Sequence, residues 1–136
     1  SGLPIVAIMG EHELPLEWAD VVLTAAGPLE WLGHIRAAEF VITDSFHGCI
    51  FAIRHQRELF AYSSDWRSMR LTALLAQFGL ENRLSNTEGD LPGFTTISRA
   101  EWNRVAEVVD NERKIGLGFL RDALSLNAGC VTNHHP

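Results

Sequence analysis

The sequence predicts an α/β domain built on a parallel β-sheet, because short apolar strands alternate with amphipathic helices along the chain. The predicted strands are apolar segments rich in branched or aromatic residues, at residues 3–9, 20–25, 40–43 and 58–62. Apolar residues at helical spacing fill the intervals between them. This alternation is typical of parallel sheets with right-handed crossovers, so we expect the four strands to lie side by side with helices on the sheet faces.

Each predicted helix has its own boundary signal. Pro28 suits a first helical turn, where its missing N–H costs no hydrogen bond. Asp44 or Ser45 can cap the second helix, and Gly79 is a natural stop for the third. Ser98 precedes Glu101 by three residues, which is the spacing of a capping box at the start of the fourth. The helices expected from these signals cover residues 28–39, 46–55, 69–78 and 98–126.

Domain organisation follows from the one irregular stretch. Residues 80–96 contain Asn, Gly, Asp and Pro and predict a loop with at most one short edge strand. This loop is too short to link two domains. Residues 1–126 are therefore predicted to form a single domain, and residues 127–136 a flexible tail.

Composition excludes several classes of protein. A chain of 136 residues with 46% hydrophobic and 21% charged residues is an ordinary globular domain, large enough for one core. The net charge of −6 argues against a general nucleic-acid partner, which needs a basic face. The apolar runs are too short to span a bilayer and no signal peptide is evident, so we predict a cytoplasmic protein without membrane insertion. Cys49 and Cys130 form no CxxC pair, and we predict free thiols and no metal.

Chemistry-bearing residues concentrate after the third predicted strand, from Asp44 to Gly48. Ligands of open α/β sheets bind outside the carboxyl ends of the strands, and a helix N-terminus attracts anions. Ser45 adds a hydroxyl, His47 a ring N–H donor, and Gly48 allows close approach to the backbone. The segment therefore predicts a phosphate or carboxylate site. Spacing alone leaves open the alternative that Asp44 and Ser45 only cap the helix and His47 is packed.

Two arginines follow the next predicted strand. Arg67 and Arg70 are three residues apart at the start of a helix, where both could grip a doubly charged anion beside Ser45 to Gly48. A solvated helix face paired with Asp65 is equally compatible with this spacing. A hydrolase with Ser45 as nucleophile is disfavoured, because the sequence around it lacks the Gly-x-Ser-x-Gly elbow.

Three ordered blocks of the sequence resemble the polysaccharide pyruvyl transferase family. The first spans residues 27–53 and contains GPLEWL, IRAAEF and VITDSFHGCIFAI. The second, RSMRLTALLAQFGLENRL, spans residues 67–84, and the third, NERKIGLGFLRDAL, spans residues 111–124. The TDSFHG string is the most specific part, and the resemblance extends over residues 5–124. Departures include Cys49, where Thr or Ser is common, and Ala52, where Ser is common.

The resemblance implies a fold and an activity. It implies a Rossmann-like parallel sheet flanked by helices, similar to the C-terminal domain of a GT-B-type transferase, with the N-terminal domain of the two-domain enzyme outside this sequence. It also implies transfer of pyruvate from phosphoenolpyruvate to a pair of sugar hydroxyls, as a ketal on an exopolysaccharide or cell-wall glycan. The acceptor would be a glycan or a lipid-linked sugar, and no cofactor is expected.

The family histidine that contacts the donor corresponds to His47 in this sequence. Basic residues that hold the donor phosphate and carboxylate correspond to Arg67 and Arg70, with Ser45 and Gly48 at the helix mouth. His47 could bind the phosphate or act as the catalytic acid, and the sequence does not decide between these roles. We expect this chain to bind phosphoenolpyruvate weakly and to show no turnover alone.

Two other functions fit the same fold. A nucleotide-sugar glycosyltransferase of the GT-B kind would need a pocket for a base and a ribose, including a carboxylate placed for ribose hydroxyls. A non-enzymatic Rossmann-like or flavodoxin-like binding module would keep the sheet without requiring His47, Arg67 and Arg70 to converge. Titration with phosphoenolpyruvate against a set of nucleotide sugars separates these possibilities.

Overall fold

A computed structural model describes residues 2–9, 16–63, 68–85 and 95–128. The strands within these ranges are β1 (Val6–Ile8), β2 (Val21–Leu23), β3 (Phe40–Thr43), β4 (Glu58–Tyr62) and β5 (Leu84–Ser85). The helices are α1 (Pro28–Ala37), α2 (Phe46–Arg54), α3 (Ser68–Gln77) and α4 (Arg99–Ala128), with a 3-10 helix (Glu81–Arg83) between α3 and β5. The α/β class with parallel strands and flanking helices is confirmed, and the arrangement is consistent with a Rossmann-like fold.

The strands divide between two parallel sheets, which differs from the single row that we expected. In the described ranges, β1 pairs only with β2, while β3, β4 and β5 form a second sheet in that order. All three pairings are parallel, with Val6 opposite Val21, Val41 opposite Leu59, and Ala61 opposite Leu84. Alternation of strands and helices favours parallel pairing but does not specify which strands share hydrogen bonds. The short edge strand allowed in the irregular stretch is β5.

The core lies around the second sheet, between α2, α3 and the start of α4. Its fully buried side chains are Cys49, Leu59, Leu71, Leu75, Leu80 and Val105. Each fully buried leucine contributes about 1.5–3 kcal/mol of transfer free energy. Trp31 and Trp102 are half-buried and pack against this cluster, so both have structural roles.

Local capping signals are confirmed at atomic detail. The Ser98 backbone N–H donates to Glu101 Oε2 at 2.8 Å, and the Glu101 N–H donates to Ser98 Oγ at 3.2 Å, which completes the capping box. Hydrogen bonding of the Glu101 carboxylate with the Ser98 side chain and the Ser98 backbone N–H lowers the pKa of this carboxyl below its ordinary value. Gly79 ends α3 with a φ of +68°. Gln56, in the turn between α2 and β4, has a φ of +52°, a left-handed conformation that the sequence did not indicate.

A largely buried ion pair ties the start of α4 to the second sheet. Arg83 Nη1 lies 3.6 Å from Glu58 Oε2, and the two side chains are 4% and 16% exposed. Glu58 Oε1 accepts the Ile97 backbone N–H at 2.8 Å, and Arg83 Nη2 donates to the Thr95 carbonyl oxygen. Strand β4, through Glu58, and the 3-10 helix, through Arg83, therefore hold the segment that leads into α4.

Helix α4 changes character along its 30 residues. Val105 is buried, and Trp102 and Val109 pack against the core. Beyond them Phe119 and Leu124 are 72% and 69% exposed. None of the helices in the described ranges is both long and apolar enough to cross a membrane.

Candidate functional site

The candidate site lies where β3 ends and α2 begins. Strand β3 ends at Thr43, Ser45 caps α2, and Phe46 is its first helical residue. Because β3 and β4 are parallel, with Thr43 opposite Ala61, their carboxyl ends meet at the same edge of the sheet. Helix α3, which follows β4, carries Arg70 in its first turn at that edge.

Two hydrogen bonds build the turn into α2. Thr43 Oγ1 accepts the Ser45 backbone N–H at 3.0 Å, and Ser45 Oγ accepts the Gly48 N–H at 3.4 Å. Ser45 is therefore the N-cap of α2, which confirms the capping interpretation of this residue. A serine hydroxyl that accepts one hydrogen bond keeps its own O–H for donation. Capping and ligand binding by Ser45 are thus compatible.

Gly48 has a packing role that the sequence did not suggest. A Cβ at Gly48 would lie 3.0 Å from both Thr43 Cβ and Thr43 Cγ2, and closer still to Thr43 Oγ1. Gly48 is buried at the contact between α2 and the end of β3. Absence of a side chain is therefore needed for close packing of the turn. Approach of a ligand to the Gly48 backbone stays a prediction.

Arg70 and His47 each lie close to the Phe46 ring. The Arg70 guanidinium carbon lies 4.9 Å from the centroid of the Phe46 ring, which is cation–π geometry. The His47 ring centroid lies 6.0 Å from that of Phe46, with the two ring planes at 89°. Arg70 and His47 are exposed, whereas Phe46 is half-buried. The structure therefore places Arg70 against the turn that carries Ser45, His47 and Gly48, as expected, while Arg67 lies outside the described residues.

The electrostatic balance at this edge favours an anion on the side of Arg70. Neither α2 nor α3 has an acidic residue in its first turn, so their partial positive N-terminal charges are not offset there. Asp44, which precedes the Ser45 cap, carries an opposing negative charge. Burial and the nearby Asp44 charge raise the pKa of the Cys49 thiol to about 11. Cys49 is completely buried and is neutral at physiological pH, which excludes it as a nucleophile.

This arrangement offers a fork of N–H donors from Arg70, an imidazole from His47 and a hydroxyl from Ser45. Such a set can hold a phosphate or carboxylate and can exchange a proton with a bound molecule. A serine hydrolase stays disfavoured on the sequence, because Ser45 lacks the Gly-x-Ser-x-Gly elbow. Asp65 and Cys130 lie outside the described residues.

Sequence reasoning missed two residues of the site, Thr43 and Phe46. Thr43 ends an apolar strand, and its hydroxyl contact with Ser45 shows only in the folded turn. Phe46 resembles any apolar residue at a helix start. A usable signal was its position between a serine cap and a histidine, since an aromatic ring at a helix mouth can contact a cation from the next helix.

Comparison with known proteins bears on the first of the three sequence blocks. A family model described as polysaccharide pyruvyl transferase matches residues 2–65, just under half of the chain. This match contains β1 to β4 and the whole turn from Thr43 to Gly48, and it confirms the resemblance seen in the sequence. The second and third blocks, at residues 67–84 and 111–124, lie outside the matched residues, so the resemblance there stays a prediction. No curated protein and no solved structure gives a significant match to the chain.

Proposed function

We propose that this chain, which carries the polysaccharide pyruvyl transferase signature in residues 2–65, binds phosphoenolpyruvate at the mouth of α2 and serves pyruvyl transfer to a sugar. The donor would be held by Ser45, His47, Gly48 and Arg70, together with Arg67, and the acceptor would be a glycan or a lipid-linked sugar. Synthesis of an exopolysaccharide or cell-wall glycan is the proposed context, and the cytoplasm the proposed compartment.

The observation that carries this proposal is the contact between Arg70, on α3, and Phe46, which directly precedes His47 at the N-terminus of α2. Arg70 comes from α3 and His47 from α2, and they share contact with Phe46. Phosphoenolpyruvate carries a phosphate and a carboxylate, so it needs cationic and N–H donors at more than one point. A guanidinium and an imidazole beside a helix N-terminus supply such donors.

The proposed reaction balances without a redox partner. A proton is added to the methylene carbon of phosphoenolpyruvate, and a sugar hydroxyl oxygen bonds to the central carbon. The bond between that carbon and the phosphate oxygen then breaks, and a second sugar hydroxyl adds to close the ketal. The two hydroxyls lose two protons, of which one balances the new methyl group and the other leaves with hydrogen phosphate. His47 would act in this sequence as the acid or as a ligand of the departing phosphate.

The family match supports this function over the two alternatives. A nucleotide-sugar transferase would share the fold, but the matched model is that of a pyruvyl transferase. A binding module without chemistry would not require Arg70 of α3 to contact the turn that carries His47, and the contact of Arg70 with Phe46 therefore supports the transferase proposal. Competition between phosphoenolpyruvate and a nucleotide sugar for the chain tests the first alternative directly.

Calorimetry or ligand-observed NMR with phosphoenolpyruvate tests donor binding. Charge-assisted hydrogen bonds are worth about 1.5–3 kcal/mol each, and two or three of them, less the cost of immobilising the ligand, give a Kd of about millimolar to high micromolar. His47→Ala and Arg70→Ala are each expected to weaken binding about tenfold. Arg70→Lys should weaken it less, because it keeps the charge and loses the planar fork.

Arg54→Ala is the matched control for Arg70→Ala. Arg54 is an exposed arginine at the C-terminal end of α2. Its removal changes the net charge by the same amount as removal of Arg70 but leaves the N-terminus of α2 unchanged. The affinity of the Arg54→Ala variant for phosphoenolpyruvate should equal that of the wild type. Equal affinity of wild type, His47→Ala and Arg70→Ala would contradict the proposed site. Release of phosphate with a sugar acceptor tests turnover, which we expect to be absent for this chain alone.

A further inference from the structure

We propose that Phe46 is a positioning residue of this site, whose ring fixes the Arg70 guanidinium and the His47 imidazole before an anion binds. The proposal rests on the anion site described above and adds the device that holds its two donors together. Phe46 contacts both donors but is not itself placed to bind phosphate, so its effect must pass through them.

The first contact concerns Arg70. Its side chain is exposed and is attached to α3, so without a neighbour it would sample many rotamers. Its guanidinium carbon instead lies 4.9 Å from the centre of the Phe46 ring. A cation–π contact at an exposed site favours this one arrangement by about two- to fivefold. A ring carries no hydrogen-bond acceptor that competes with an anion for the strong N–H donors of the guanidinium, so this contact is compatible with anion binding by Arg70.

The second contact concerns His47, the next residue on α2. The ring planes of Phe46 and His47 stand at 89° with centroids 6.0 Å apart, a preferred geometry for aromatic pairs. The two groups that we propose to bind the donor therefore both contact the Phe46 ring. Displacement of that ring would move Arg70 and His47 together.

Phe46 is suited to this role because it is anchored. Its ring is half-buried and packs against the core cluster around α2 and α3, while the two donors that it contacts are exposed. A ring held in place by the core restricts the conformations of the exposed side chains that contact it. A purely structural Phe46 would pack in the same way, so the test must measure Arg70 and the ligand rather than stability alone.

The test compares Phe46→Leu with Phe46→Tyr. Leucine fills similar apolar space without a π face, and tyrosine keeps the ring. The control is Phe51→Leu, also a half-buried aromatic residue on α2, whose ring packs edge-on against Trp31 at 5.7 Å. Side-chain NMR of Arg70 reports the ring contact without any ligand, since protons over an aromatic face shift upfield. Titrations with phosphoenolpyruvate and with inorganic phosphate report its effect on anion binding.

Phe46→Leu should abolish the upfield shift of the Arg70 protons and weaken binding of both anions about two- to fivefold. Phe46→Tyr should retain the shift and the affinity, and Phe51→Leu should retain both even where it lowers stability. In an Arg70→Ala background, Phe46→Leu should cause a smaller further loss than it causes in the wild type, because one of its two contacts is already gone.

Failure of this proposal and failure of the proposed donor give distinguishable outcomes. Wild-type Arg70 protons without an upfield shift, or undiminished anion affinity in Phe46→Leu, would remove Phe46 from the site and leave donor binding intact. Binding of inorganic phosphate but not of phosphoenolpyruvate would refute the proposed donor, while the phosphate titrations would still decide the role of Phe46. A wild-type protein that binds neither anion would refute both proposals.

Discussion

Arg83→Met is expected to be the most destabilising single substitution outside the apolar core. Arg83 is 4% exposed, and its guanidinium contacts Glu58 Oε2 at 3.6 Å and the Thr95 carbonyl oxygen. Removal of one partner of a buried ion pair costs about 3–5 kcal/mol, because the other charge stays buried without compensation. Glu58 keeps 16% exposure and its hydrogen bond from the Ile97 N–H, so the loss should fall near 3 kcal/mol, at the lower end of this range.

A double-mutant cycle isolates the interaction between the two side chains. Glu58→Gln removes the carboxylate charge but keeps an oxygen for the Ile97 N–H, and it leaves the Arg83 charge buried. The double variant Glu58→Gln/Arg83→Met contains neither charge. Its loss of stability should be smaller than the sum of the two single losses by about 1–3 kcal/mol.

Urea denaturation followed by tryptophan fluorescence measures the free energies of unfolding of all four proteins. Lys114→Met is the control, because Lys114 forms an exposed ion pair with Asp110, at 4.0 Å with side chains 78% and 67% exposed. Exposed pairs of this kind contribute little, so its denaturation midpoint should match that of the wild type. Strict additivity in the cycle, or an Arg83→Met protein as stable as the control, would refute the assignment of this pair as a buried tie between the sheet and α4.

Three further substitutions test local features. Gly48→Ala should lower the free energy of unfolding by about 1–3 kcal/mol, because its Cβ would overpack against Thr43, and it should weaken phosphoenolpyruvate binding. Adding Thr43→Ala to this variant should recover part of the lost stability in urea denaturation. Absence of any recovery would argue against the contact between residues 43 and 48. Gln56→Gly should raise the free energy of unfolding by about 0.5–1 kcal/mol because φ is +52°, whereas Gln56→Ala should not. With Cys130→Ser as background, Cys49 should resist thiol reagents in the native protein at pH 8. Since its pKa is raised to about 11, protonation of Cys49 stabilises the fold below pH 9, and about 2–3 kcal/mol of stability should be lost as the pH rises from 9 to 11, a loss absent in Cys49→Ala.

Local sequence signals were sufficient to predict the features that depend on residues close together in the chain. Ser98 and Glu101 form the predicted capping box, Gly79 ends α3, and Ser45 caps α2. These signals depend on groups within one helical turn, so no knowledge of the rest of the fold is needed. The TDSFHG string, also local, was enough to indicate the family that the match over residues 2–65 supports.

Features that join distant parts of the chain were decided by the tertiary structure. Arg70 reaches Phe46 only because β3 and β4 are parallel neighbours, so that α2 and α3 begin at the same edge. The sequence showed Arg70 beside a helix start, but it could not show which ring that side chain would meet. The exclusion of a Cβ at Gly48 likewise depends on the packing of α2 against Thr43.

The division of the strands into two sheets has the same origin. Periodicity and branched residues identify a strand, because they depend on the faces that the strand itself buries. Hydrogen bonds between strands depend on which segments approach each other after the crossovers have packed. The sequence therefore determined the elements, their caps and the residues that carry the chemistry. The tertiary structure alone decided that β1 pairs with β2, that β3 pairs with β4, and that one half-buried phenylalanine joins the two groups proposed to hold the donor.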